Sequence, residues 1–482
     1  LHRATKDLQI TYDKSYIKKA QGAQIRSRAK YVEEGEKSTS YFLALEKRHQ
    51  TYNSIKQLEK SNGNLVSDSG MIPREAENFY NILFESRDID PTFLNAYMGN
   101  FEPNVLTEDQ IELCEGTVTE QECHDAMKVM KPNKSPGSDG LPGEFYLTFW
   151  PHIKHILLDS YQYSYNEGIL AHSQRRAVIT LQFKKGNRTN LSNYRPISLT
   201  NVDYKILAFV LAKRMHKVIG SLVGTQQTAY INGRYIGQNI RLILDILEYT
   251  DSKSVPGLLL CLDFRKAFDS LEWKFMFMVL SKFNFGQSFI KWIRILYNEP
   301  NALLKINGYL STPILQTRGI RQGCPISALL FILCTEILAY KLINSNQING
   351  LKLNINHRII EYKVLQYADD TLVLLENVEH VTPTIQILKD FEKVSGLALN
   401  LGKTEAMWLG ANKNCPEKPF DLQWPSTIRY MGIHIGYSSA EIYQLNWQNK
   451  LELLKKTLDC WRTRELTIFG RNTIVKSWRS QK

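Results

Sequence analysis

Two adjacent carboxylates, Asp369 and Asp370, lie inside the apolar stretch Val364-Leu365-Gln366-Tyr367-Ala368-Asp369-Asp370-Thr371-Leu372-Val373-Leu374-Leu375, which has no Lys or Arg to neutralise them. Like charges a few ångströms apart are costly in a partly buried place unless a proton or a cation is shared between them. A divalent metal ion would serve. A third acid stands in a matching context upstream, where Gly257-Leu258-Leu259-Leu260-Cys261-Leu262 runs straight into Asp263. These acids are far apart in the chain and can meet only through the fold. Carboxylates converging from strand ends make a hard, all-oxygen pocket suited to Mg²⁺, with positions left for water and substrate phosphate. Two such ions about 3.5–4 Å apart stabilise the attacking and leaving oxygens of an in-line phosphoryl transfer. Simpler roles compete at each position. Asp263 also suits the cap of a helix beginning at Arg265-Lys266-Ala267-Phe268, and Asp369-Asp370 an ordinary polar turn.

The elements that must carry these groups follow from patterning. Around Asp369-Asp370 the sequence predicts strand, tight turn, strand, with the acids at the tip, and Asp263 falls at the end of a buried strand. Ala177 to Phe183 predicts a strand and Lys184-Lys185-Gly186-Asn187 a turn, which puts two lysines on a loop tip where phosphates can be gripped. Arg321-Gln322-Gly323-Cys324-Pro325 predicts a loop feeding a helix, with Pro325 at the first helical position. Phe264, Phe268 and Leu271 fit one helix face. Leu397 to Leu401 has a β-like pattern that leads to Lys403. Lys131 to Gly143 is a Pro/Gly-dense loop in which Asp139 suits a turn. Ile25 to Leu43 has apolar residues at helical intervals between charges. From Tyr443 the pattern is helical again, with Leu445, Leu451, Leu454, Leu458 and Trp461 on the apolar side.

Composition narrows the class. With 60 basic against 48 acidic residues the net charge is +12, which favours a polyanionic partner. The run from Arg175 to Lys217 holds ten cations and one acid, Asp203, and reads as a contact surface or a solvated face. The best apolar run, Ile326 to Tyr340, is shorter than a membrane span and carries Glu336, so it predicts a core helix and no membrane partner. Seven scattered cysteines without a Cys-x-x-Cys pair predict a reducing, intracellular setting, in nucleus or cytoplasm. The first residue is Leu, and no secretory pattern comes after it, so the chain reads as non-secreted and as cut from something longer. Its 482 residues and 43% hydrophobic content support about three domain-sized units.

Tyr367-Ala368-Asp369-Asp370 resembles the metal-binding signature of reverse transcriptases, and Leu262-Asp263-Phe264-Arg265-Lys266-Ala267-Phe268-Asp269 resembles their other metal motif. Between them Arg318-Gly319-Ile320-Arg321-Gln322-Gly323-Cys324-Pro325-Ile326-Ser327 is similar to the nucleotide-pocket motif of the LINE-type, non-LTR retrotransposon branch. Gly396-Leu397-Ala398-Leu399-Asn400-Leu401-Gly402-Lys403-Thr404-Glu405 follows the same branch's pattern. The likeness runs from about Arg26 to Lys482, with five motifs in order.

That resemblance implies an α+β, right-hand polymerase fold. Residues 1–110 would be a helical, RNA-binding N-terminal extension, 111–254 the fingers, 255–438 the palm, and 439–482 the start of the thumb. It implies an RNA-directed DNA polymerase that joins deoxynucleotides to a DNA primer on an RNA template. Asp263, Asp369 and Asp370 would hold two Mg²⁺ ions, with Mn²⁺ as a substitute. Lys184 or Lys185, with Arg195, would hold the triphosphate, where Arg gives a bidentate fork and Lys a point charge. Phe268 would exclude a 2′-hydroxyl, and Gln322 and Gly323 would lie against the nucleotide. Lys403 would act as general acid to pyrophosphate. Tyr430, Met431 and Gly432 would form the primer grip, with His434 a strand residue. The rival readings are a group II intron maturase-like protein and a catalytically silent RNA-binding protein derived from a reverse transcriptase.

Overall fold

Four strands form the sheet that carries the acids: β1 (Gly257–Leu262), β2 (Val364–Tyr367), β3 (Asp370–Leu375) and β4 (Glu405–Leu409). In this computed structural model, which describes residues 54–60, 62–99, 101–462, 467–470 and 472, their order is β2-β3-β1-β4. Every pairing is antiparallel. β1 and β3 are therefore central, matched from Leu262↔Thr371 to Leu258↔Leu375.

Their unbroken apolar sequence has a direct cause, since both faces of the sheet are covered. Leu258, Leu260 and Leu262 of β1 join Val373 and Leu375 of β3 in the large core. Leu259, Leu372 and Leu374 point the other way, into a second core with Ile243 and Ile246 from the helix Ile236–Ser252. The hairpin Thr427–Tyr430/Ile433–Gly436 closes that second core with Ile428, Tyr430 and Ile435. A strand with a solvent face would alternate apolar with polar; a covered one does not. Each fully buried leucine here contributes roughly 1.5–3 kcal/mol.

Three helices matter for the site: α1 (Val202–His216), α2 (Ala267–Ser270) and α3 (Ser327–Ile343). α3 is apolar nearly all round, with Leu329 to Thr335 buried without a break, as a helix inside a core must be. It is the core helix expected from Ile326 to Tyr340. Among the described residues no helix is long and apolar enough to cross a membrane.

The described residues pack as two compact units. One comprises the described residues up to 77 with 181–195 and 304–311; the other comprises those of 78–180 and 196–303 and those from 312 onward. Within the first, the strand ends of Arg176–Phe183 and Tyr194–Thr200 enclose a loop tied by Lys184 N–H to Asn193 O at 2.9 Å and by Tyr194 Oη to Arg188 O at 2.8 Å. A two-residue turn there, Asn307-Gly308, has both φ values positive and is gripped by Ile55, whose N–H donates to Asn307 Oδ1 at 2.8 Å. The helix expected over Ile25–Leu43, with the extension before residue 54, lies outside the described residues, as do the thumb residues beyond 472.

Candidate active site

β2 and β3 are joined by two residues, Ala368 and Asp369, and Tyr367 pairs with Asp370 across the turn. Ala368 has φ of 57°, a left-handed backbone that an alanine adopts at a cost of about 1 kcal/mol or more. Something must hold it there. The carboxamide of Gln227, itself fully buried, accepts from Ala368 N–H and from Ala229 N–H, each at 3.0 Å. Its segment runs parallel to β2 at Gln366, where Gln366 N–H donates to Gln226 O at 2.8 Å and Thr228 N–H to Gln366 O at 3.1 Å. Asn239 Nδ2 adds a bond to Gln366 O at 2.7 Å. The turn that presents Asp369 is thus clamped by polar groups from outside the sheet.

Asp263 immediately follows β1. The last β1–β3 pair is Leu262↔Thr371, so Asp263 leaves the end of β1 at the same end of the sheet at which β3 begins with Asp370. Asp263 is further fixed by Asn400, whose Nδ2 donates to Oδ2 at 3.2 Å and whose N–H donates to the Asp263 carbonyl at 2.7 Å. Asp369 and Asp370 are exposed and Asp263 partly so. Among the described residues no group of three or more His, Cys, Asp or Glu side chains is placed to hold a metal ion. Mg²⁺ does not require such a group, because it is commonly held by one or two carboxylates with waters and substrate phosphates. The donor set, hard carboxylate oxygens on neighbouring positions, fits that ion.

Beside the acids, α2 runs for only four residues and starts from Lys266 in a left-handed conformation. Phe264, Phe268 and Leu271 therefore do not share a helix face, contrary to the periodicity. Phe264 instead makes a lone bridge to Leu399. Phe268, partly buried, stacks on Phe331 of α3 with centroids 4.5 Å apart and planes 11° from parallel. The loop of Gln322 is fastened to this short helix: Gly319 N–H donates to Leu271 O and Ile320 N–H to Phe268 O, both at 2.7 Å. Gly319 must be glycine, since its φ is 80° and a Cβ would come within 2.5 Å of the Asp269 carbonyl oxygen. Gln322 Nε2 donates to Asp269 Oδ1 at 2.8 Å, and Gln322 O accepts from Ser198 N–H at 2.9 Å. Gly323, φ 104°, packs close to the Ser198 carbonyl. Asp269 is fully enclosed; burial pushes its carboxyl up to about 7 against the opposing pull of the Lys266 charge and the Gln322 bond.

With this geometry fixed, residues 183–435 match the model of the reverse transcriptase (RNA-dependent DNA polymerase) family. The chain belongs to the reverse transcriptases. That membership implies the right-hand polymerase fold, and the mixed helix and sheet seen here is consistent with it. Relatives come from non-LTR elements. The chain is 30% identical over 444 residues to the transposon TX1 uncharacterized 149 kDa protein of Xenopus laevis, covering 90% of this chain and 33% of that protein. It is 26% identical over 338 residues to the retrovirus-related Pol polyprotein from type-1 retrotransposable element R2 of Popillia japonica, 67% of this chain and 45% of the relative. The corresponding R1 polyprotein of Bradysia coprophila is 23% identical over 330 residues, 65% and 31%. The chain spans between 31% and 45% of the length of these relatives. The LINE-type resemblance seen in the motifs agrees with them.

The remaining expected residues of this reverse transcriptase divide between the two units. Lys184 and Lys185 are exposed on the loop after the strand Arg176–Phe183, and Arg195 is exposed on the next strand. These three belong to the first compact unit; the acids, Phe268, Gln322, Gly323, Lys403 and the Tyr430 hairpin belong to the second. Tyr430 is buried, and Met431 and Gly432 form the hairpin turn with φ of 49° and 88°. His434 is a strand residue whose backbone bonds the Asn446 amide at 2.7 Å in both directions.

Three further expectations need correction. Lys403 does not follow a strand: Gly396, φ 77°, ends the preceding helix, residues 397–400 make a single bridge, and exposed Lys403 closes a 3₁₀ turn before β4 begins at Glu405. Pro325 is not the first helical residue, because it lies in a turn closed by Ser327 N–H on Cys324 O and α3 starts at Ser327. The basic run is not one face. Arg214 is buried and bonded to both carboxylate oxygens of Glu122, at 2.7 and 2.9 Å, while Arg175 pairs with Glu299 at 2.5 Å.

Gln227 and Asn239 escaped the sequence reading altogether. A lone amide in a polar segment has neither the periodicity nor the residue type that marks a site. Asp269 was visible only as the last letter of a motif. Tyr230 was missed as well: it sits in a left-handed conformation at φ 57°, and burial, with Tyr367 and Asp369 adding, raises its hydroxyl pKa.

Proposed function

We propose that this chain is a working RNA-directed DNA polymerase of a LINE-type element, extending a DNA primer on an RNA template with dNTPs. The observation that carries the proposal is the central-strand register, in which β1 ends one residue before Asp263 at the edge where β3 begins with Asp370, with Asp369 in the adjoining turn. Asp263, Asp369 and Asp370 would hold two Mg²⁺ ions, which supply the charge that stabilises the attacking 3′-oxygen and the leaving pyrophosphate. The chain's own residues do the rest. Gln227 fixes the turn, Asn400 orients Asp263, and Phe268 and Gln322 border the nucleotide. Lys184 or Lys185, with Arg195, grips the triphosphate. Exposed Lys403 is available to protonate pyrophosphate. In this reading residues 111–254 act as fingers, 255–438 as palm and 439–482 as the start of the thumb.

Primer extension on an RNA template with Mg²⁺ and dNTPs tests the proposal. Wild type incorporates, and Asp369→Asn falls by at least about a hundredfold, equivalent to about 2.7 kcal/mol of transition-state stabilisation. Equal incorporation by the two proteins overturns the mechanism. RNA binding with no incorporation by wild type would instead match a silent RNA-binding protein, and tight selection of one structured RNA a maturase-like role.

A further inference from the structure

A carboxylic acid sealed inside a protein with one oxygen unbonded is expensive, and an apolar residue of similar volume would be cheaper if the position served only to pack. Asp269 is such a group. It is 2% exposed, its Oδ1 accepts from Gln322, and its Oδ2 has no hydrogen-bond partner. The loop that carries Gln322 does not need the carboxyl for its course, because the Gly319 and Ile320 N–H groups already bind it to α2 through backbone carbonyls. What the carboxyl adds is a direction for one amide.

We infer that Asp269 is a positioning residue of the nucleotide pocket, which holds the Gln322 carboxamide with its nitrogen inward so that its oxygen stays available as a hydrogen-bond acceptor for the incoming nucleotide. This deepens the polymerase reading and rests on it. The physical basis is the asymmetry of the two partners above pH 7, where a carboxyl pushed up to about 7 is mostly ionised and the comparison is to be made: a carboxylate only accepts, whereas a primary amide donates at nitrogen and accepts at oxygen. Facing Asp269, the amide has one good orientation. Facing an asparagine, which offers both an N–H and an oxygen, it has two of nearly equal energy, and in one of them it turns a donor toward the ligand. Gly323 and the Ser198–Gln322 backbone bond hold the main chain steady in both cases, so the difference is confined to the side chain. The raised carboxyl pKa is consistent with this, because it reports how little solvation Asp269 has apart from Gln322 and the charge of Lys266.

The test is steady-state primer extension together with equilibrium binding of dTTP to a primer–template complex, for wild type, Asp269→Asn, Gln322→Ala and the double variant. Asp269→Asn is expected to raise the KM and the dissociation constant for dTTP about five- to tenfold, with kcat within about twofold and the melting temperature nearly unchanged. In the Gln322→Ala background the same change has no further effect on either constant, because the two residues act as one unit. An unchanged KM, or an equally large effect without Gln322, overturns the inference while leaving the polymerase reading intact. A fall in kcat and melting temperature together at constant KM also overturns it, as the mark of a merely structural carboxyl. Should Asp269→Asn fail to fold, Asp269→Ala carries the same expectations. Absence of extension by wild type itself overturns the polymerase reading and this inference with it.

Discussion

Phe268 serves two neighbours at once. Its ring lies flat on Phe331 and so belongs to the packing of α3, yet it follows Asp263 by five positions and borders the Gln322 loop. As the proposed sugar gate it has to keep its position without moving when a nucleotide arrives, and a stacked partner provides that rigidity. Phe268→Ala is expected to raise ribonucleotide relative to deoxynucleotide incorporation by at least about tenfold, a discrimination of roughly 1.4 kcal/mol. Parallel extension with dNTPs and rNTPs measures it, and an unchanged ratio would reduce Phe268 to a packing residue. At this scale the sequence spoke clearly where residue type was unusual for its surroundings. Three acids in apolar strands stand out. The Gln227 clamp on Ala368 does not, because its meaning lies in two backbone N–H groups, one of them far along the chain.

Among the elements, α3 contains the instructive exception to its own rule. Glu336 sits within this apolar helix and accepts from Gly224 N–H at 3.2 Å and from Gln226 Nε2 at 2.8 and 3.0 Å. Burial pushes its carboxyl up to about 7, partly offset by those bonds and by the charge of Arg234. In the folded protein the group holds its proton to higher pH than in the unfolded chain, whose value is that of an ordinary glutamate. Between those two values the folded state binds more protons, so stability is greatest below the lower one and declines as pH rises through about 7. Urea unfolding at pH 5 and pH 8 is expected to give a smaller loss of stability for Glu336→Gln than for wild type. An identical loss would mean that Glu336 does not titrate in this window. Helix α3 and strands β1 to β3 were legible in the sequence because apolar runs of those lengths have few alternatives. Helix α2 and the Lys403 turn were not, since four residues carry no period and a glycine that ends a helix leaves the conformation of the next residues open.

For the molecule as a whole, the count of 60 basic residues overstates what a nucleic acid meets. The buried Arg214 gives its guanidinium to Glu122 and to the carbonyls of Cys114, Gly116 and Thr117, and Arg175 is paired, whereas Lys184 and Lys185 are open to solvent. Titration of dNTP binding to the primer–template complex against KCl should separate the two kinds. A lysine that grips the triphosphate, replaced by alanine, lowers the slope of log affinity against log salt. Lys184→Ala or Lys185→Ala is expected to do so, and Arg214→Lys to leave the slope as it is while destabilising the fold. A change of slope with Arg214→Lys would show that the interior pairing does not hold in solution. Charge counting along the chain cannot make this distinction, because burial is settled by Glu122, which lies well upstream.

The pairing of β1 with β3 has a consequence for synthesis on the ribosome. Residues 257–262 emerge long before residues 370–375, and until the later strand arrives the earlier one has no partner on that edge and Asp263 has no neighbouring acid. Closing so long a loop is slow. On the proposed mechanism a nascent product abandoned anywhere in between lacks the acids of the later turn, so each copy able to start DNA synthesis must have been translated past Leu375.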